Sequence, residues 1–450
     1  MSYEMGSAGE GRALAFFDRV GAVLGNVKRR ASFAIYAGGL LGEGERKSME
    51  PIASRATGSP SEVDALHQRL GHFLTDAEWD DRAVRREGAR YALEAMTEQS
   101  PVEAWILDDT GFLKQGNHSV GVQRQYTGSA GKVTNCQIGV SLTLATKTEQ
   151  VPVDFELYLP ESWANDPTRR LEGRIPVDVQ FKTKPELALD MMRRAIADGM
   201  PQGVVLGDSA YGSSSEFRCE IRRLGLDYSL GVNPLTNIFE VEEVVNRGGA
   251  AISLRELASK LDARGKFRRV TWREGTRQAL SARFAVRRVF PCREQSRELN
   301  DQEVVWLIIE WRDGEKEPAN YFFSSLPKGT RKKSLIRLTM QRWRTERVYE
   351  DLKGELGLDH FEGRRYRGWH HHVSVAICCY AFIIAEKVRA FFPSARRARR
   401  TPENDDSART PLPRFVHHCP TCGSAGNRSL ASQMPDLPLY PQHVQKGAPP

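Results

Sequence analysis

The sequence predicts a mixed α/β protein whose core is interrupted by a β-rich insertion and preceded by a helical segment. Residues up to about 98 carry apolar residues at helical spacing with charges between them. From residue 104 onward, short apolar runs typical of strands alternate with helical patterns, as in a mixed α/β core. From about 233 to 320 several alternating runs replace that rhythm, which indicates additional strands.

Composition and charge restrict the class of protein. The 450 residues suffice for two or three domains, and 40% hydrophobic with 27% charged residues is typical of a soluble globular protein. The chain has 65 Lys and Arg against 57 Asp and Glu, giving a net charge of +8 and a pI near 9.1. This balance favours an anionic partner. The seven cysteines are unevenly spaced and form no disulfide framework.

The N-terminus and the longest apolar run indicate a cytoplasmic protein. Residues 1–20 lack the basic start and apolar centre of a signal peptide. The run from Val373 to Ala385 is too short to span a bilayer and predicts a buried helix. We therefore expect a cytoplasmic location and no membrane partner.

The predicted domains follow these changes of pattern. They are a helical segment, the first part of the core, the insertion, the second part of the core and a tail, at residues 1–98, 99–232, 233–320, 321–392 and 393–450. The core strands are predicted at residues 104–109, 135–146, 151–160, 203–212 and 227–232, with helices at 185–199, 214–224, near Ser334 and at about 370–390.

The tail is poor in large apolar residues and is predicted to be mostly disordered. It contains HHCPTC, with His417, His418, Cys419 and Cys422. A Cys-x-x-Cys with nearby histidines can begin a zinc site, but a second such pair is missing. Both a zinc site and an ordinary tail segment stay open.

Three acidic residues stand at structural ends from which they can converge. Asp109 and Asp208 each close a predicted strand, and Glu346 lies on a predicted helix beyond the insertion. Ligands of α/β sheets collect outside the carboxyl ends of the strands. Grouped carboxylates imply a hard cation such as Mg²⁺ or Mn²⁺, and two such ions can promote phosphodiester cleavage. For each acid alone, a turn former or helix cap stays an open explanation.

The stretch RWRTERVYEDLK (342–353) predicts a helix. At 100° per residue, Arg342, Glu346 and Lys353 fall within about 40° of one another around the axis. A single narrow face therefore carries two cations and one acid. From the spacing alone, this is either a solvated charged face or a site in which the Glu acts while its neighbours hold an anion.

Four segments together resemble bacterial insertion-sequence transposases of the DDE type. They are WILDDTGFLKQGNHSVGVQRQYTGSAGKVTNCQIGVSL, LYLPESWANDPTRR, VVLGDSAYG and RWRTERVYEDLKGELGLDHFEGR. The sequence looks most like the insertion-sequence family numbered seven-hundred-one, within a larger group carrying a Tyr-Arg-Glu-Lys signature, from about residue 10 to 390. The resemblance implies an RNase H-like core with a β-rich insertion before the final Glu. It also implies two-metal cleavage of the element ends, joining to target DNA, and a dimer or larger assembly on DNA.

The resemblance assigns roles to individual acids. Asp109, which precedes Thr110, corresponds to the first catalytic and metal-binding acid, and its neighbour Asp108 is the less favoured choice. Asp208 corresponds to the second acid and Glu346 to the third. Glu350 and Glu355 are nearby alternatives to Glu346, but neither keeps the spacing of the signature.

The resemblance also assigns DNA contacts. Arg342 and Lys353 match the Arg and Lys of the signature and are expected to hold the phosphate under attack. The Tyr of the signature falls at Thr339, which is a departure. Lys114 follows the first acid in a segment that the resemblance places beside the active site, although an ordinary loop is equally open.

The insertion and the N-terminal segment are further candidates for DNA contact. In residues 266–290, Arg268 and Arg269 alternate with aromatic residues including Trp272, a pattern that can follow a DNA backbone and stack a base. An amphipathic strand pair with a basic solvent face is the alternative. The N-terminal helical segment is expected to bind terminal inverted repeats. Alternative functions are a metal-dependent nuclease without strand transfer and an inactive DNA-binding remnant.

Overall fold

The computed structural model describes residues 7–57, 59–241, 250–273, 280–292 and 304–391, and its strands form one mixed sheet. The strands are β1 Val102–Leu113, β2 Gln123–Thr127, β3 Lys132–Thr146, β4 Gln150–Tyr158, β5 Val204–Gly207, β6 Tyr228–Gly231, β7 Asn237–Glu240, β8 Ile252–Ser253, β9 Arg268–Arg273, β10 Leu280–Pro291, β11 Val305–Trp311 and β12 Asn320–Ser324. Strands form at all five predicted core positions, with two corrections to their ends. β1 continues past Asp109 to Leu113, so Asp109 lies within the strand and does not close it, and β5 ends at Gly207, where a helix at Ser209–Gly212 replaces the rest of the predicted strand. β2 lies in the segment after the first acid, for which an ordinary loop was one of two open interpretations.

Helices precede the sheet and cover both of its faces. They are α1 Ser7–Ala22, α2 Val27–Leu41, α3 Met49–Ala56, α4 Pro60–Thr75, α5 Asp81–Thr97, α6 Glu161–Ala164, α7 Pro167–Gly173, α8 Lys184–Ala197, α9 Ser209–Gly212, α10 Ser215–Arg223, α11 Leu254–Ala263, α12 Lys332–Thr339, α13 Trp343–Gly354 and α14 Tyr366–Phe391, with a 3₁₀ turn at Met340–Arg342. Local signals fix several starts. Thr183 and Glu186 form a capping box at α8, and Asp80 caps α5.

The sheet continues from the core into the inserted residues. β4, β3 and β1 are antiparallel neighbours, and β1, β5 and β6 are parallel. β12 then pairs antiparallel with β6, and β11, β10, β7 and β8 follow in that order. The β-rich residues after 233 therefore lie in the same sheet as the core strands.

The two faces of the central strand β1 meet different helices. Ala104, Trp105, Ile106 and Leu107 are all fully buried, so both faces are covered. Successive side chains of a strand point to opposite faces. On the face of the even-numbered residues lies α13, whose Tyr349 hydroxyl is 2.6 Å from Ser141 Oγ, and Ser141 is the β3 partner of Asp108.

The first five helices share their packing with the sheet. One core cluster includes Ala13 of α1, Leu107 of β1 and Val388 of α14. A buried cluster of ion pairs also connects these helices to the sheet, because Arg85 of α5 lies 2.8 Å from Asp81 and 3.3 Å from Asp154 of β4. The predicted domain boundaries stay predictions.

Candidate active site

Asp208 stands at the end of β5, where the chain turns into α9. Its Oδ1 accepts a hydrogen bond of 2.9 Å from the backbone N–H of Ala210, so the residue caps the helix as well as facing solvent. Within the described ranges Asp208 forms no ion pair. Gly231 of β6 packs against this turn, and a Cβ there would lie 2.8 Å from the Ser209 nitrogen and 2.9 Å from the Asp208 carbonyl carbon. A close backbone approach therefore holds Asp208 in place.

Asp208 and Glu346 line one open cleft of about 740 Å³. Its walls come from the ends of β5 and β6, the inserted strands, and the junction of α12 with α13. The Glu346 side chain is 63% exposed, as a residue that receives a ligand must be. The alternative Glu350 does not line the cleft and pairs with Arg347 at 3.5 Å. The geometry therefore favours Glu346 over its neighbour.

Asp108 faces the same side as α13. Its Oδ2 lies 3.2 Å from Arg342 Nη1, and the Arg342 Nη2 lies 3.8 Å from Glu346. The parallel register pairs Ile106 with Leu206, so two residues further on Asp108 comes beside Asp208. The pKa of Asp108 is raised to about 7, mainly by burial and also by the nearby Asp109 and Asp208, against the lowering effect of Arg342. Asp108 thus belongs to the group of charges around Arg342.

Asp109 points to the opposite face of β1. Its Oδ2 lies 2.9 Å from Lys184 Nζ, at the start of α8. Its side chain is 21% exposed, compared with 13% for Asp108. The assignment of Asp109 as the first acid stays a prediction, but the arrangement favours Asp108 as the β1 acid beside Arg342 and Glu346. The ion pair of Lys184 with Asp109 was not predicted from the sequence. The pattern TKPE (183–186) indicates where a helix starts, but it does not indicate which group the Lys184 amine contacts.

Tyr211 adds a buried hydroxyl next to the acids. Burial raises its pKa well above the usual value, and Asp109, Asp108 and Asp208 act in the same direction. Its hydroxyl has no hydrogen-bond partner in the described structure. A buried polar group without a partner is uncommon in folded proteins.

Arg342 and Lys353 lie on the predicted face but have different environments. Arg342 belongs to the 3₁₀ turn and bridges Asp108 and Glu346. Lys353 Nζ donates to Thr110 Oγ1 at 2.9 Å and to the Gly111 carbonyl at 2.7 Å, which ties α13 to β1. Burial lowers the pKa of Lys353. Its proposed phosphate contact stays a prediction and would compete with these bonds.

The other predicted DNA contacts are spread over two regions. Lys114 Nζ donates to the Phe361 carbonyl at 2.7 Å, a bond within the protein. Arg269 and Trp272 line the cleft with Asp208 and Glu346, whereas Arg268 does not. Trp272 packs edge-on against Phe284, with ring centroids 5.5 Å apart. The structure thus brings two of the three insertion residues to the acids.

The departure at Thr339 has a structural partner. The Thr339 hydroxyl donates to the Leu335 carbonyl at 2.9 Å and lies 2.6 Å from Ser229 Oγ on β6. Thr339 is buried and forms part of the cleft wall. The residue at the signature's Tyr position therefore joins α12 to the sheet.

The carboxylates are suitable ligands for a hard cation, but in the described structure they are not spaced to hold one. Carboxylate oxygens are the ligands that Mg²⁺ and Mn²⁺ prefer. In the residues that the structure describes, no group of three His, Cys, Asp or Glu is arranged to hold a metal ion. Arg342 and Lys184 hold two of the acids in ion pairs. The donor set fits a divalent ion only after one of these pairs opens.

Two further predictions concern the rest of the chain. The segment with His417, His418, Cys419 and Cys422 lies outside the described residues. None of the helices in the described ranges is both long and apolar enough to cross a membrane.

Comparison with known proteins identifies the family. The family model described as "DDE superfamily endonuclease" matches residues 19–279, more than half of the chain. A curated relative from Microchaete diplosiphon, "Probable transposase for insertion sequence element IS701", is 28% identical over 195 residues. That alignment covers 43% of this chain and 46% of the relative, so the chain spans about half the length of the curated relative. Enzymes of this superfamily generally use divalent ions such as Mg²⁺ or Mn²⁺. By the match over residues 19–279, the chain belongs to the DDE superfamily endonucleases.

Proposed function

We propose that this protein is a DNA transposase that cleaves the ends of its own insertion sequence and joins them to target DNA. The observation that carries the proposal is the cleft in which Asp208 and Glu346 meet, with Asp108 joined to Glu346 through Arg342. Membership of the DDE superfamily endonucleases and the likeness to a probable IS701 transposase support the same chemistry. The sheet order β4-β3-β1-β5-β6 is consistent with an RNase H-like core.

The acid set in this proposal is Asp208, Glu346 and an acid of β1. The sequence favours Asp109 as the first acid, while its pairing with Lys184 and the placement of Asp108 beside Arg342 favour Asp108. A divalent ion bound by these carboxylates would activate water and stabilise the leaving oxygen. Arg342 would then exchange a carboxylate for a phosphate oxygen, since a guanidinium binds both in a bidentate manner.

The DNA partners in the proposal are the terminal inverted repeats and the target. The N-terminal helices and the inserted strands are the proposed contacts, with Arg269 and Trp272 at the cleft. Cutting two ends together requires at least two copies of the chain, so we propose a dimer or larger assembly on DNA. A cytoplasmic location and the use of two metal ions also belong to the proposal.

The proposal is tested by cleavage of a labelled duplex that carries the element's own end, with Mg²⁺. Wild type, Glu346→Ala and Glu350→Ala are compared. Glu350 is a matched control because it is exposed, lies one turn further along α13 and does not line the cleft. We expect wild type and Glu350→Ala to nick at the element boundary, while Glu346→Ala binds without cutting.

The same assay separates the alternatives. Products in which the freed 3′ hydroxyl is joined to a second duplex support a transposase. Nicks without joined products indicate a metal-dependent nuclease, and binding without nicks indicates an inactive remnant. Equal cutting by wild type and Glu346→Ala would refute the assignment of Glu346.

A further inference from the structure

We propose that a second groove, formed by β9, β10 and the start of α12, binds the phosphate backbone of DNA several base pairs away from the catalytic cleft. We call it the α12 groove. This inference rests on the proposed function, because it takes DNA as the ligand. It adds a separate binding surface and residues that the sequence did not single out, including Lys266, Arg287, Lys332 and Lys333.

All charged residues that line the α12 groove in the described part of the chain are cations. It has a volume of about 460 Å³, and its charged lining residues are Lys266, Arg268, Arg269, Arg287, Lys332 and Lys333. Among the residues that the structure describes, no acidic side chain lines it. Six positive charges around one groove repel each other and are expected to attract a polyanion.

Most of these cations have no acidic partner among the described residues. Arg269 pairs with Asp313 at 2.8 Å. In the described part of the chain, the other five form no ion pair, although many arginines elsewhere do, such as Arg85 with Asp81. Arg268 donates to the carbonyls of Gly265 and Phe267, and Arg287 to that of Val286. These bonds orient the two guanidinium groups without neutralising them.

The helix dipole of α12 is unfavourable for the two lysines in its first turn. The helix dipole leaves partial positive charge at the N-terminus, where acids are stabilising and cations are not. Yet the first turn of α12 contains Lys332 and Lys333 and no acid, and Arg331 at the N-cap makes no side-chain cap. The two lysines therefore do not stabilise the helix by their charge. A phosphate at this end would be favoured by both the dipole and the ammonium groups.

The floor of the groove is rigid. Phe284, Val286 and Ile336 are buried in one apolar cluster that joins the inserted strands to α12. A packed floor fixes the backbone positions from which the surrounding cations extend, which lowers the entropic cost of binding an extended ligand.

The geometry links this groove to the cleft. The start of α12 lines the groove, and its last residue, Thr339, lines the cleft with Asp208 and Glu346. Eight residues of α-helix span about 12 Å. That is about three to four base pairs of duplex at 3.4 Å per step. Arg269 lines both cavities, so one DNA backbone can pass from the cleft to the groove.

The test compares a groove variant with a matched control. The groove variant is Lys266→Gln with Lys332→Gln and Lys333→Gln. The control removes three other exposed lysines that line neither cavity and form no ion pair in the described structure, by Lys147→Gln, Lys260→Gln and Lys316→Gln. Binding of a fluorescently labelled duplex is measured from about 50 to 200 mM salt, the range over which phosphate contacts are most visible.

Three lost phosphate contacts would reduce the slope of log K against log salt by about 2.7. Across this salt range, the affinity of the groove variant would therefore fall about 40-fold less than that of wild type. The control should keep the wild-type slope. Neither variant should unfold at a lower temperature, and Lys332→Glu with Lys333→Glu should weaken binding while leaving the melting temperature equal or higher.

The outcomes separate this inference from the proposed function. If wild type binds and cleaves the duplex while the groove variant has the wild-type slope, the α12 groove is not a DNA site. An equal fall in slope for the control would also overturn the inference, since it would report net charge alone. If wild type neither binds nor cleaves DNA, the proposed function fails and the inference fails with it.

Discussion

Replacing each of the two adjacent acids of β1 by its amide tests which one belongs to the active site. Asp108→Asn and Asp109→Asn are matched in chemistry and differ in the face of the strand they occupy. Asp108 contacts Arg342, and Asp109 contacts Lys184. We expect Asp108→Asn to abolish cleavage and Asp109→Asn to retain it, because only Asp108 lies on the side of Arg342 and Glu346.

The two variants should also differ in stability. Burial raises the pKa of Asp108 from 3.8 to about 7. An acid with a raised pKa in the folded state lowers stability as the pH rises from about 4 to 7, since the folded state holds a proton that the unfolded state releases. The difference between these two pKa values corresponds to a loss of at most about 4 kcal/mol in the free energy of unfolding at pH 8. Asp108→Asn should recover part of this at pH 8 and little at pH 4.

The assay is urea unfolding with EDTA at pH 5 and pH 8, beside Mg²⁺-dependent cleavage. The gain in stability of Asp108→Asn over wild type should be larger at pH 8 than at pH 5. If it instead loses stability at pH 8, the ion pair with Arg342 outweighs the burial of the carboxylate and the reasoning fails. If Asp109→Asn abolishes cleavage while Asp108→Asn cuts, the assignment from the sequence is the correct one.

Three other predictions concern the framework of the site. Burial lowers the pKa of His371 and of His372 from 6.5 to about 4, so stability should be full above pH 6.5 and fall towards pH 4 by up to about 3 kcal/mol for each, as followed by thermal unfolding. Arg85→Ala should cost about 3–5 kcal/mol in denaturant unfolding, since it removes a buried cation that pairs with Asp81 and Asp154, although Arg194 still pairs with Asp154, while the exposed Arg90→Ala should cost under about 1 kcal/mol. Gly231→Ala should displace the Asp208 turn, costing about 1–3 kcal/mol and most of the cleavage activity.

The sequence predicted the elements well because their local signals are strong. The strand before Asp208 ends at Gly207, and the helix that carries Glu346 ends at Gly354 with Lys353 in its last turn, close to the predicted positions. Their meeting in one cleft follows from the rule that ligand-binding residues gather at the carboxyl ends of parallel strands.

The choice between Asp108 and Asp109 was beyond the sequence for a physical reason. A strand with one solvated face shows alternating apolar and polar residues, which tells one face from the other. Residues 104 to 107 of β1 are all apolar and fully buried, so no alternation precedes the acids. Which face receives α13 depends on contacts such as Tyr349 with Ser141, which link positions 208 residues apart.

The lysines were harder still to predict. Lys114 and Lys353 donate to backbone carbonyls, and every residue supplies a carbonyl, so no sequence pattern marks these partners. The five cations of the α12 groove that form no ion pair within the described ranges come from β9, β10, α12 and the turn before β9. Their shared surface exists only once the inserted strands have packed on α12.

The charges of the resting site bear on how many metal ions it takes. Asp108, Asp109, Asp208 and Glu346 carry four negative charges at pH 8, and Arg342 and Lys184 carry two positive ones. The remainder of two negative charges equals the charge of one divalent ion. The two ions expected from the sequence would leave a net charge of +2, and a DNA phosphate in the site would reduce this excess to +1. Calorimetric titration with Mn²⁺ should therefore give one ion per chain without DNA and a second only with a bound duplex end. Two ions bound by the free protein would contradict this balance and would place Arg342 away from Asp108 before DNA arrives.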